Sequence, residues 1–383
     1  MADGDGRLRP DPVTGNYLKN VHDNFAQLMA SSPDAQAVRT VGLDYDGPLD
    51  SLQRVLDGSW TAHSDVTIAA CPQYSGQDCA TAIQQCLDTL HPTKTLHPGS
   101  RVLIKVGLVE ARHPDEHVTV HPVVVRELLR HLITVTGSPE HVLVADGSGH
   151  ERDTDQILRN TGLGQVLHDL GVRFIDLNLT DLQAVPVQDS LSMPGFILPS
   201  ILFDCDLVIS LAKLKTHHRS AVTLGMKNLF GCAPGAVYGF PKTRLHYGGT
   251  GRVIADLASV VRPGLTIIDA VTGMEGMGPL DGTPRPFGAL IAGENVATTD
   301  YVATQLMGFS PGLIPQFWYA EQKGLLTAAH HQGLPPQDLT STFQAPSNIS
   351  WLHATQSRSP QERRQLLETL LEFARSTLAT TNA

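Results

Sequence analysis

The sequence of 383 residues predicts an α/β fold: a mixed, largely parallel sheet flanked by helices, with an N-terminal extension and a helical C-terminal segment. Two observations carry this reading. Short aliphatic runs alternate with helix-period segments from Asp65 to Gly308, the pattern of strands joined by crossover helices. Hydrophobic residues make up 41% and charged residues only 17%, below the usual charged share of about 25%. That composition suits a chain with a large buried core.

The elements are expected in this order. Residues 1–64 carry weak signals, with one apolar stretch at Phe25–Met29. Val66–Ala70 alternates like a strand, and Ile83, Cys86, Leu87 and Leu90 share a helical face. Arg101–Lys105 reads as a strand. Pro122–Thr136 reads as a helix, with Pro122 in its first turn and Gly137 as its stop. His141–Ala145, Val172–Leu177, Asp206–Leu211, Leu265–Asp269 and Phe287–Ile291 follow as strands. Ala221–Phe230 and Thr298–Gly308 have helical spacing, with Asp300 in the first turn of the latter. Ser359–Glu362 forms a capping box ahead of Leu366, Leu367, Leu370, Leu371 and Ala374. The expected organisation is an extension over 1–64, an α/β core over 65–330 and a helical segment over 331–383.

Composition removes several functions. The net charge is −10, from 28 basic and 38 acidic residues, which argues against binding nucleic acid through its phosphates. No apolar run reaches the roughly 18 residues of a membrane span. No leader pattern is visible in the first residues, so a cytoplasmic location is expected. The five cysteines include no CxxC pair, so neither a disulfide framework nor a ferredoxin-type cluster is expected. No HExxH-type spacing points to a divalent metal, and neither a Walker nor a GxGxxG sequence occurs. The cofactor is therefore left unknown, and the oligomeric state open.

The charge is unevenly spread. Residues 207–255 contain no Asp or Glu, where the chain average predicts about five, yet hold seven Lys or Arg. Lys213 and Lys215 alternate just past an aliphatic strand, the edge where open α/β sheets bind ligands. A local positive field there suits a carboxylate or phosphate.

The runs Asp206–His217 and Val222–Gly231, followed by His246, resemble the core signature of domain-of-unknown-function family 362. Val66–Tyr74, Gly99–Lys105, Val142–Gly149, Gly273–Pro279, Asp281–Pro284, Ile291–Gly293 and Asp300 to Gly308 resemble its remaining motifs in order, over roughly 65–330. The resemblance implies a prokaryotic protein whose relatives often carry an iron–sulfur module. This chain lacks the ligands for that module. It also shows Lys105-Val-Gly107 where the family usually has Lys-Pro-Asn.

The candidate catalytic residues are Lys215, His217, His246 and Glu275. The candidate substrate-binding residues are Lys213, Lys227, Asn228, Lys105, Asp146 and Asp281. A desolvated lysine serves as base, amine nucleophile or electrostatic clamp, and histidine moves protons near neutrality. The leading expectation is an enzyme acting on a small anion by Lys/His acid–base chemistry, through isomerisation, elimination or hydrolysis. A redox protein working with a separate ferredoxin and a non-catalytic ligand-binding module are the alternatives.

Overall fold

The computed structural model describes residues 49–349, apart from 93–95, 151–152 and 340. Beyond 349 it describes positions 352, 359, 361, 362, 365 and 368. Phe25–Met29 and the apolar face from Leu366 onward lie outside the described residues. The capping box itself is present: the Glu362 N–H donates to Ser359 Oγ at 3.3 Å, and the Ser359 N–H to Glu362 Oε2 at 2.7 Å.

Eleven strands are described: β1 (His63–Ala70), β2 (Val102–Val106), β3 (Val142–Asp146), β4 (Arg173–Asp176), β5 (Leu182–Pro186), β6 (Gly195–Pro199), β7 (Leu207–His217), β8 (Ala221–Val222), β9 (Leu265–Met277), β10 (Asp281–Gly293) and β11 (Ala328–Gly333). The main sheet runs β11-β1-β10-β9-β7-β2-β3-β4, with β8 paired to β7. In that row β10 alone is antiparallel to its neighbours. The fold is thus α/β with a mixed, mostly parallel sheet.

Period-two alternation decides which face each side chain meets. Leu103, Ala145, Ala212, Leu214 and Ile268 pack with the helices Leu224–Asn228, Thr250–Val261, Val296–Leu306 and Pro315–Gln322. Ile104, Val144, Ile209, Leu211 and Ile267 pack with Gly76–Leu90 and Pro122–Thr136 on the other face. Both faces are covered, so the central strands are buried throughout, as β2, β3 and β7 are. Helix Pro122–Thr136 starts with Pro122 behind the His121 cap and stops at Gly137, φ 82°.

Three sequence expectations are corrected. β7 continues through Lys213 and Lys215 to His217, so these residues lie within the strand. β9 and β10 run on as one long hairpin well beyond the expected strands Leu265–Asp269 and Phe287–Ile291, because Gly273–Met277 pairs with Asp281–Arg285. Ala221–Phe230 is no continuous helix. Ala221 and Leu224 have positive φ, so the turn begins only at Leu224: an α-helix covers Leu224–Asn228 and a 3-10 helix continues it over Leu229–Cys232.

Candidate functional site

The carboxyl ends of the parallel strands open onto a cavity of about 210 Å³. β2 contributes Lys105 and leads into Gly107, β3 leads into Asp146–His150, β7 supplies Lys213, Lys215 and His217, and the β9–β10 turn adds Pro279 and Leu280. The other wall is Thr223–Gly231 and Pro241–His246. Six cations line this cavity (Lys105, Lys213, Lys215, Lys227, Lys242 and Arg219), against one carboxylate, Asp146.

Two of the six are neutralised. Lys105 Nζ meets Asp146 Oδ1 and Asn228 Oδ1, each at 2.9 Å, and donates to Val106 O. Asp146 also accepts from the N–H groups of Leu108 and Gly147. The Asn228 amide is equally committed, donating to Lys105 O, Ser210 Oγ and Leu211 O. Lys213 Nζ lies 2.9 Å from Asp269 Oδ2 and donates to Tyr74 Oη at 2.6 Å. Tyr74 in turn donates to Asp269 Oδ1 and stacks on His121 at 3.8 Å. Burial still lowers the Lys213 ammonium, with Asp269 opposing it.

The other lysines have no carboxylate at ion-pair distance among the described residues, and Asp146 acts on Lys215 and Lys242 only from farther away. Lys215 Nζ donates to Val118 O at 2.7 Å and approaches Pro279 O at 3.4 Å. Burial, then the charges of Lys213 and Lys105, push it down to about 7. Lys227 Nζ sits 3.7 Å over the Phe230 ring. Burial, then Lys242 and Lys215, push it down to about 7 as well. Lys242 Nζ donates to the carbonyls of Gly147, Phe230 and Gly231, and burial lowers it to about 8.

The histidines divide by tautomer. His217 Nδ1 accepts from the N–H groups of Arg219 (3.0 Å) and Ser220 (3.4 Å), so its ring proton belongs on Nε2. Burial and then the Lys227 charge hold His217 well below the usual histidine range. His218 has the opposite arrangement: Nδ1 faces Gly278 O at 3.1 Å, which leaves Nε2 as the bare nitrogen. The two rings stack at 4.9 Å. His246 Nδ1 contacts Thr250 Oγ1 at 3.2 Å, and burial lowers its pKa to about 4.

Gly231 lets the chain pass this cluster. A Cβ there would lie 2.1 Å from Asp146 Oδ1 and 2.3 Å from Lys105 Cε. Gly231→Ala is expected to break the buried Lys105–Asp146 pair and destabilise the fold by about 3–5 kcal/mol. Denaturant melts check this, and a loss under about 1 kcal/mol would mean the loop yields freely.

The Domain of unknown function (DUF362) family matches residues 102–305. This chain belongs to the DUF362 family. Every residue lining the cavity falls within the DUF362 stretch. A thylakoid-associated protein of Synechocystis, sll1697, is 29% identical over 240 residues, covering 62% of this chain and 72% of that one. The lactate racemase apoprotein of Thermoanaerobacterium thermosaccharolyticum aligns at 10% identity with a TM-score of 0.37, over 67% of this chain. The chain spans 59% of that structure's length. No described helix is long and apolar enough to cross a membrane.

Eight of the ten residues named from the sequence line this DUF362 cavity: Lys105, Asp146, Lys213, Lys215, His217, Lys227, Asn228 and His246. Glu275 and Asp281 do not. Glu275 accepts from the Gln344 N–H and faces Arg285, while Asp281 is exposed at the start of β10. Lys242, His218 and His150 were missed. Nothing in the spacing marks Lys242 apart from its place in the acid-free segment. Cys232 is fully buried, and burial lifts its thiol to about 11, which makes it a packing residue. Among the described residues no group of three or more His, Cys, Asp or Glu is placed to hold a metal ion.

Proposed function

We propose that this cavity binds a small carboxylate or phosphate and carries out proton-transfer chemistry on it. The observation that carries the reading is the set of lysines lining the cavity without a paired carboxylate among the described residues, Lys227 above all, whose ammonium sits over the Phe230 ring. Lys215 and Lys242 are buried and Lys227 is half-buried, and lysines so placed without a close counter-charge are costly unless an anion completes them. Lys227 and Lys215 hold the anion, and Lys242 adds its field. His217 gives a neutral Nε2–H donor, and His218 Nε2 is the proton acceptor. Lys215, near neutrality, exchanges a proton at the same place. Lys105, Lys213 and Asn228 act as positioning residues, because their polar atoms are already bonded.

A thermal-shift screen of small carboxylates and phosphates tests this reading. Hits are expected in wild type, with the shift lost in Lys227→Gln and Lys215→Gln. For a hit that turns over, His218→Ala is expected to lower kcat with little change in binding. No hit, or hits indifferent to both lysine substitutions, would overturn the assignment. A cytoplasmic setting is part of this proposal. The thylakoid association of the relative supplies the competing outcome, and cell fractionation separates the two.

A further inference from the structure

A second cavity, of about 190 Å³, adjoins the first. Arg219 lines both. His246 of the first cavity contacts Thr250 of the second.

Two helix starts converge on this second cavity. Helix Thr250–Val261 begins after Gly249, and helix Pro315–Gln322 begins after Ile314. Neither has a side-chain cap. The first-turn N–H groups of Thr250–Arg252 and the single one the second helix offers, that of Gln316 (Pro315 has none and Phe317 donates to Ile314 O), therefore meet the positive ends of both dipoles at one place. Gly251 permits the approach, since a Cβ there would lie 3.2 Å from Gln316 N and from Pro315 Cβ. Arg252 adds a second guanidinium, 5.4 Å from the Tyr319 ring, and none of the described residues lining the cavity is a carboxylate.

Gln316 supplies the independent observation. It is 1% exposed and lines this cavity, yet neither Oε1 nor Nε2 has a hydrogen-bond partner. A buried amide is normally satisfied on both atoms. A ligand oxygen between the two helix starts would complete its donor.

We propose that this second cavity is an oxyanion subsite for a phosphate group, and that the ligand of this protein carries two anionic ends, one per cavity. The bridging part rests on the reading of the lysine cavity as an anion site. Arg219, common to both cavities, stands between the two charges. A single small monoanion would leave one cluster of donors unmet.

The test is a titration of the full chain with inorganic phosphate, read by calorimetry. Wild type is expected to bind two phosphates. Gln316→Glu sets a carboxylate against the second phosphate at nearly constant shape and is expected to weaken that one alone, by at least tenfold. Arg252→Gln, on a half-buried side chain, is expected to do the same and covers any folding defect of the first variant. Lys227→Gln is expected to remove the other phosphate. Alkane bisphosphonates of increasing spacing follow, and one length is expected to displace both phosphates at one per chain. One phosphate in wild type, lost in Lys227→Gln and indifferent to Gln316→Glu, overturns the second subsite and leaves the first reading standing. Loss in Gln316→Glu but not in Lys227→Gln overturns the first reading and keeps the subsite. Two phosphates that no bisphosphonate displaces together overturn the bridging ligand.

Discussion

Sulfate, whose own charge does not change near neutrality, is expected to lose about 100-fold in affinity between about pH 6 and about pH 8, because each lysine that titrates near 7 costs about tenfold per pH unit above it. Lys215 and Lys227 both stand at about 7 in the free protein. Below that pH both are ammonium groups ready to receive an anion. Above it both have lost a proton that the bound anion must restore. Binding at about pH 8 should therefore take up protons, and the calorimetric enthalpy should vary with the ionisation enthalpy of the buffer. At about pH 6 that dependence should vanish. His217 and His246 stay neutral over the whole range, since burial and neighbouring cations hold both down. The double substitution Lys215→Gln and Lys227→Gln should flatten the profile. An affinity independent of pH would remove these two lysines from the anion site.

The same shifts set the sign for stability. An unfolded lysine titrates near 10.4, so between 7 and that value the unfolded chain binds more protons than the folded one. The contribution of Lys215 and Lys227 to stability is therefore present above the unfolded value and is lost as the pH falls through 7. Saturating sulfate should abolish this slope, because the anion keeps both lysines charged in the folded state.

Lys213, Lys215 and His217 were legible in the sequence because alternation past an aliphatic run, in a segment without acids, depends only on local order. Their inequality was not legible. Lys213 is neutralised by Asp269, a residue 56 positions away, and only the register of β7 against β9 brings them together. Lys242 was invisible for the same reason. It sits in a left-handed backbone conformation, φ 63°, and reaches the Gly147 carbonyl 95 positions away. Glu275 and Asp281 were misplaced because the strands expected at Leu265–Asp269 and Phe287–Ile291 leave both acids outside any ladder. In the fold Gly273–Met277 forms ladder pairs with Asp281–Arg285 and carries both acids away from the cavity. The β5–β6 hairpin went unread, since its strands are short, β5 is mostly exposed, and the two pair only with each other.

Asp300→Ala is expected to be the most damaging single substitution outside the cavity. The sequence placed Asp300 in the first turn of a helix. The structure instead caps that helix with Asn295, whose side chain accepts from the Thr298 N–H at 3.0 Å. Asp300 reaches across to another helix, the one that carries Lys227 and Asn228. Its two oxygens accept from the N–H groups of Gly225 and Met226, each at 2.7 Å. Gly225 has no room for a side chain there, since a Cβ would lie 2.6 Å from Thr266 Cγ2. Asp300 is fully buried, and burial pushes its carboxyl up to about 8 against the pull of those two N–H groups. Alanine leaves both donors buried and unmet, at about 1–3 kcal/mol each, so a loss of about 2–6 kcal/mol is expected in denaturant unfolding. Asp300→Asn keeps one acceptor oxygen but turns an NH2 group toward the other donor, and should lose about half as much. Anion affinity should fall in the same order, because the start of the helix that aims Lys227 loses its anchor. Asp300→Asn matching wild type in both stability and affinity would show that the second carboxyl oxygen is not what fixes this helix.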